Sequence, residues 1–246
     1  MRKSYRELTE EIKTDGERLK LIAALGSSDD LAYHYTLISE DWAAGGTLML
    51  ENSFDRHGEA GIVFLLERLR ALGTASKTDE SAAAGTATDT AYLAAKILSQ
   101  LRHRDFYAAR AKELAALLTA RWKISDIALR RKQIIALGWI GSESEINLLI
   151  DSMQSDSDAL CRAWAAAALM QLSFHGVAAD VLRERTKNAF AAAIQKEGDL
   201  NAAGIMIEAA QTLFGKKWIS AAAAEAAESE SIEKARKSAL CFLGKA

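Results

Sequence analysis

Residues 125–155 read SDIALRRKQIIALGWIGSESEINLLIDSMQS, and this stretch decides the fold. Its centre, Ile134-Ile135-Ala136-Leu137-Gly138-Trp139-Ile140, is apolar all round, the pattern of a helix covered by neighbours on most sides. Gly138 leaves room there for a close helix crossing. Small polar residues mark two starts, Ser125-Asp126 before Ile127 and Ser142 with Glu145 three positions later, and Gly141 stands between the two segments. The stretch is therefore read as two consecutive helices joined by a short turn.

The rest of the chain repeats these signals. Among 246 residues there are 48 alanines and no proline, with 50% hydrophobic and 26% charged residues, a mix that favours helices throughout. Strand-type alternation is nearly absent. Val177, Val181, Ala189, Phe190 and Ile194 recur at helical spacing, while Arg183, Glu184, Lys187 and Asn188 fall elsewhere on the same segment. Stops are marked by Gly26, Gly73, Gly141, Gly176, Gly215 and Gly244, each read as a left-handed residue just past a helix. Further starts lie at Asp156 to Asp158 before Ala159 and at Asp199 before Leu200.

Pairs of core positions three apart, Leu98/Leu101, Leu137/Ile140, Leu169/Leu172, Ala210/Leu213 and Leu240/Leu243, follow one another at offsets of 39, 32, 41 and 30 residues. A second landmark keeps the same register, since Asp126-x-x-x-Arg130 and Asp158-x-x-x-Arg162 lie 32 residues apart. In each, the Asp is set to cap its helix and the Arg one turn later to pair with an acid of the adjacent repeat. Arg130 and Arg131 diverge by about 100° on a helix, so one is expected to make that contact and the other to face solvent or a partner.

With its D-x-x-x-R opening, its A-L-G-x-I-G close and the leucine-rich helix that follows, residues 125–155 resemble a HEAT-like (PBS-lyase-type) helical repeat, and the likeness continues through 197. Leu21-Ile22-Ala23-Ala24-Leu25-Gly26 echoes the close, Ala203 replaces the Arg in 199–230, and 231–246 reads as one terminal helix. The resemblance implies an all-α fold, an α-solenoid or superhelix of antiparallel helix pairs, as a single domain over 1–246. Residues 1–72 are its degenerate N-terminal helices, 73–90 a flexible linker or loop rich in Gly, Ala, Ser and Thr, and 91–246 the repeats with their terminal helix.

Charge and motifs narrow the function. With 31 basic and 33 acidic residues, no global field draws the chain to nucleic acid or to an anionic membrane. No apolar run approaches the roughly 18 residues of a membrane span, no secretion signal is read at Met1 to Glu7, and a cytoplasmic setting is the expectation. Cys161 and Cys241 lack metal-ligand or disulfide-framework spacing, and His34, His57, His103 and His175 are dispersed. No catalytic motif is found, so neither a cofactor, a metal nor an enzymatic activity is expected. Asp55-Arg56-His57-Gly58-Glu59 is the best local polar cluster and is read first as a solvated turn, with acid–base or metal chemistry as the alternative. Trp139 and Trp164 are assigned to the core, while Trp122 and Trp218, beside lysines, are either interface anchors or rings closing a helix end.

A solenoid of this type presents its second helices, here 106–120, 143–155, 177–197 and 216–230, on a concave surface suited to protein partners. Their non-core positions Tyr107, Arg110, Asn147, Asp151, Glu184, Asn188 and Glu225, together with Trp218, are the candidate partner-binding residues. The resemblance implies a bacterial protein-binding module such as an inhibitor, or an immunity protein that neutralises a toxin. The alternative it offers is a HEAT-like DNA glycosylase acting on alkylated purines, for which Asp126 near Trp122 is the only matching feature, and the acidic balance of the chain argues against it.

Overall fold

In the computed structural model, the described residues are 2–74, 93–97, 105–120, 122 and 127–244. All regular structure among them is helical. The chain divides into two compact units, Met1–Ala109 and Arg110–Ala246.

The first unit contains α1 (Tyr5–Glu11), α2 (Asp15–Gly26), α3 (Leu31–Ala43), a 3-10 helix (Leu50–His57) and α4 (Gly58–Thr74), with α5 described over residues 93–97. Two capping boxes, Ser4 with Glu7 and Thr14 with Glu17, start α1 and α2, and the Asp30 carboxylate accepts from the Tyr33 amide to start α3. The 3-10 helix packs against α2, α3 and α4, and its Leu50 and Phe54 are fully buried with Leu37, Ile38, Ile62 and Leu65. The polar run Asp55 to Glu59, read as a turn, thus closes the 3-10 helix and opens α4. Gly73 lies within α4, and 75–90 of the expected linker lie outside the described residues.

The boundary between the units falls within α6 (Asp105–Thr119), and the second unit continues with α7 (Ile127–Ile140), α8 (Ile146–Ser155), α9 (Ala159–Leu172), α10 (Ala179–Lys196), α11 (Leu200–Leu213), α12 (Ala221–Glu225) and α13 (Ser229–Leu243). The first helices α7, α9 and α11 lie side by side, and α8, α10 and α13 form the adjoining layer, the repeated helix-pair packing of a solenoid. Of the landmark pairs, Leu137, Ile140, Leu169, Leu172, Ala210, Leu213 and Leu243 are buried as expected, whereas Leu240 is half-buried. Leu98/Leu101 fall outside the described residues.

The tightest crossing is α7 on α9, where a Cβ on Gly138 would stand 2.8 Å from Ala168 Cα. Of the six glycines read as left-handed stops, Gly176 (φ 107°) and Gly215 (φ 62°) adopt that conformation. Gly26 and Gly141 are small because space is short: a Cβ would meet Ser53 and Arg56 at the first, and the Leu137 carbonyl at 2.6 Å at the second.

Two further expectations are corrected. Trp139 and Trp164 are half-buried rather than core, because the apolar stretches 134–140 and 163–170 that hold them do not mark which side is left to solvent. Residues 216–230 are not one helix. The Gln211 amide accepts from the Trp218 and Ile219 amides at 2.8 and 3.0 Å and donates to the Ile219 carbonyl, pinning that segment to α11. Ala227, at φ 49°, then turns the chain, and α13 packs against both α10 and α11.

Candidate functional site

Asp158 and Asp199 cap their helices as expected, their carboxylates accepting from the Cys161 and Ala202 amides at 2.8 Å each. Arg130 reaches Asp156 in a two-pronged ion pair at 2.8 and 2.9 Å, and Arg162 reaches Glu197 at 2.7 and 2.8 Å. Both arginines thus meet acids outside their own helices, as the repeat spacing predicts. Arg131 does not face solvent: it grips Asp158 at 3.0 and 2.9 Å, because the helix-start acid of α9 lies within reach of its long side chain. The Arg131 guanidinium and the Cys161 amide outweigh burial and hold the Asp158 carboxyl well below the usual carboxylate range. Burial pushes the Glu197 carboxyl up, but Arg162 and the Asp199 amide together hold it below its ordinary value. Arg236 donates to the Ile194 and Glu197 carbonyls at 2.8 and 2.7 Å, closing the C-terminal end of α10. These contacts tie α7 and α9 to one another and to the ends of α8 and α10, and α13 to the end of α10.

On that layer α8 and α10 pack together, and four candidate residues are exposed: Asn147 and Asp151 one turn apart on α8, Glu184 and Asn188 one turn apart on α10. Arg185 lies across the seam, donating to the Glu143 carbonyl at 3.0 Å and to Asn147 Oδ1 at 2.9 Å. It was not among the residues selected from the sequence, where nothing marks a partner 38 positions away.

The other candidates lie apart from this group. Arg110 is exposed on α6 and pairs with Glu113 at 3.0 Å, and the Tyr107 side chain lies outside the described residues. Glu225 is exposed at the end of the five-residue α12. Trp218 is half-buried with its ring 5.8 Å from that of Phe242, which in turn packs 6.0 Å from Phe214. Trp122 is also half-buried and donates from Nε1 to Ser152 Oγ at 3.2 Å. Of the two readings of these rings, the contacts show both packed at element ends.

The described residues contain no group of three His, Cys, Asp or Glu side chains arranged to hold a metal. No described helix is long and apolar enough to cross a membrane. Asp126, the acid of the glycosylase comparison, lies outside the described residues.

Compared with known families, residues 80–170 match HEAT repeats. The segment is a HEAT-repeat-like helical region. The match begins upstream of α7, inside the stretch read as a linker, and ends within α9, before the second helix of that pair. The helix-pair packing of the HEAT-like region continues past the match into α10, α11 and α13. HEAT repeats are a generally non-catalytic class of scaffold compatible with protein–protein interaction. No curated protein and no solved structure matches the chain.

Proposed function

We propose that the protein is a non-enzymatic interaction module that takes a protein partner on the outer face of its second-helix layer. Asn147, Asp151, Glu184 and Asn188 form the contact. The observation that carries this reading is the side-by-side packing of α8 and α10 with all four of those polar side chains exposed, α8 lying within the residues that match HEAT repeats and α10 just beyond them. The two carboxylates Asp151 and Glu184 favour a partner with a basic patch, since opposite charge steers encounter and fixes register. Within this reading the specific role is inhibitory, that of an immunity protein neutralising a toxin in a bacterial cytoplasm.

The test is capture of partners from the native host at moderate salt, with the wild-type chain and the double charge reversal Asp151→Lys/Glu184→Lys in parallel. One stoichiometric protein retained by the wild type and lost by the variant supports the reading. Retention of the same protein by both variants refutes the assigned face. Recovery of nucleic acid instead, with affinity for duplex falling steeply as salt rises, refutes the protein-binding function altogether.

A further inference from the structure

His34 and His57, 23 residues apart and on different elements, are brought together in the first unit. His34 Nδ1 lies 2.7 Å from His57 Nε2, and His34 Nε2 lies 3.0 Å from the Leu50 carbonyl. A carbonyl only accepts, so His34 Nε2 carries a proton; the neutral ring then has a lone pair at Nδ1, and His57 Nε2 must donate to it. Both rings are therefore Nε2–H tautomers in the neutral pair.

The pair closes over the 3-10 helix. His34 holds the Leu50 carbonyl, and Asp41, seven residues further along α3, accepts from the Leu48 and Leu50 amides at 2.9 and 3.3 Å. Phe54 packs with its ring 5.3 Å from His34 and 5.1 Å from His57, and both Phe54 and Leu50 are fully buried. His34 is likewise fully buried, whereas His57 is half-buried.

The first added proton has a place that breaks nothing. Taken at His57 Nδ1, it leaves the His57-to-His34 hydrogen bond intact and strengthens it by charge. His57 is held down by its own burial, opposed by the charges of Asp29, before α3, and Asp55, on the 3-10 helix. A second proton has only His34 Nδ1, where two N–H groups of two cations would confront each other across 2.7 Å. Of the charged groups on the neighbouring elements, Asp41 is engaged with Tyr5, Leu48 and Leu50, Arg56 lies against Gly26 of α2, and Arg68 of α4 lies over Tyr35 and Phe64.

We propose that the His34–His57 pair is a proton-operated latch on residues 50–57, which accepts one proton closed and releases the segment from α3 on accepting the second. Burial first, then the charge on His57, pushes His34 down to about 4, against the opposing pull of the Leu50 carbonyl. Release exposes Leu50 and Phe54, an apolar surface that the closed segment hides.

The experiment is hydrogen exchange of the full chain as a function of pH, corrected for intrinsic rates, comparing residues 48–57 with residues 179–196. In the wild type, opening of 48–57 is expected to rise about tenfold per pH unit on descending from 6.5 to 4, the slope of one proton, while 179–196 stays protected. His34→Gln, whose amide can donate to Leu50 and accept from His57 without titrating, is expected to remove that one-proton slope and leave only the shallower dependence set by His57. Equal slopes in both proteins overturn the latch. Should the variant fail to fold, nitrogen-15 spectra of the wild-type histidines decide the matter: two Nε2–H tautomers at neutral pH, with His57 protonating before His34, support it, and an Nδ1–H tautomer on His34 or the reverse order overturns it.

Discussion

Gly138→Ala probes the crossing on which the second unit is built. The new Cβ would stand 2.8 Å from Ala168 Cα, 2.9 Å from its Cβ and 3.3 Å from its carbonyl oxygen. Ordinary carbon–carbon contact lies at about 3.5–4.0 Å, so α7 and α9 must part by close to 1 Å, and backbone atoms cannot rotate aside as a flexible side chain would. Overpacking of this kind costs about 1–3 kcal/mol, and this contact falls at the upper end because α9 is also held by α8 and α11. Replacing a helical glycine by alanine returns about 1 kcal/mol of helix propensity. The expected net loss is about 2 kcal/mol, or a fall in Tm of about 4–8 °C for a chain of this size. Thermal and urea unfolding followed by circular dichroism and tryptophan fluorescence measure it, four of the five tryptophans lying in the second unit. Gly198→Ala is the control, since no atom stands within 4 Å of its new Cβ, and it should leave stability within about 0.5 kcal/mol of wild type. A Gly138→Ala protein as stable as wild type would refute the close-crossing argument.

Arg162→Met leaves the Glu197 carboxylate, whose side chain is 1% exposed, without its guanidinium, and should cost about 3–5 kcal/mol in denaturant titrations. Arg6→Met, which removes an exposed pair with Glu10, should cost less than about 0.5 kcal/mol, and similar losses in both would contradict the burial argument. Because the folded Glu197 carboxyl sits below its ordinary 4.5, its contribution to stability is present above that pH and is lost as pH falls through the folded value. Unfolding midpoints between pH 6 and 3 should show that loss in wild type and a shallower one in Glu197→Gln. Burial first and then Asp158 push the Cys161 thiol up to about 11, whereas Cys241 is exposed. A thiol reagent at pH 8 should therefore label one cysteine per folded chain and two after denaturation; rapid labelling of both in the folded protein would show Cys161 to be accessible.

The helix period, the core pairs Leu137/Ile140 and Leu169/Leu172, the caps Asp158 and Asp199, and the inter-element role of Arg130 and Arg162 were all legible, because each depends on residues within one or two turns or on a spacing that recurs. The acids those arginines meet were not, since Asp156 and Glu197 lie 26 and 35 residues on, and which carboxylate arrives depends on how successive pairs stack. The candidate surface was legible in part. Asn147, Asp151, Glu184 and Asn188 are exposed as their helical positions require, but Arg185 joined them only through packing. The expected helix 216–230 is broken because Gln211, on α11, holds the Trp218 and Ile219 backbone, which leaves Trp218 outside a helix and Glu225 on the short α12.

By itself, then, the sequence determined an all-α chain of short repeated helices: apolar periodicity, caps and glycines act locally and need no partner to be read. The tertiary structure alone decided which faces of the apolar stretches in α7 and α9 meet solvent, that Arg131 is engaged by Asp158, and that two dispersed histidines share one proton-bearing contact. Such pairings carry no sequence spacing of their own, because they arise where separate elements are pressed together by burial of the core between them.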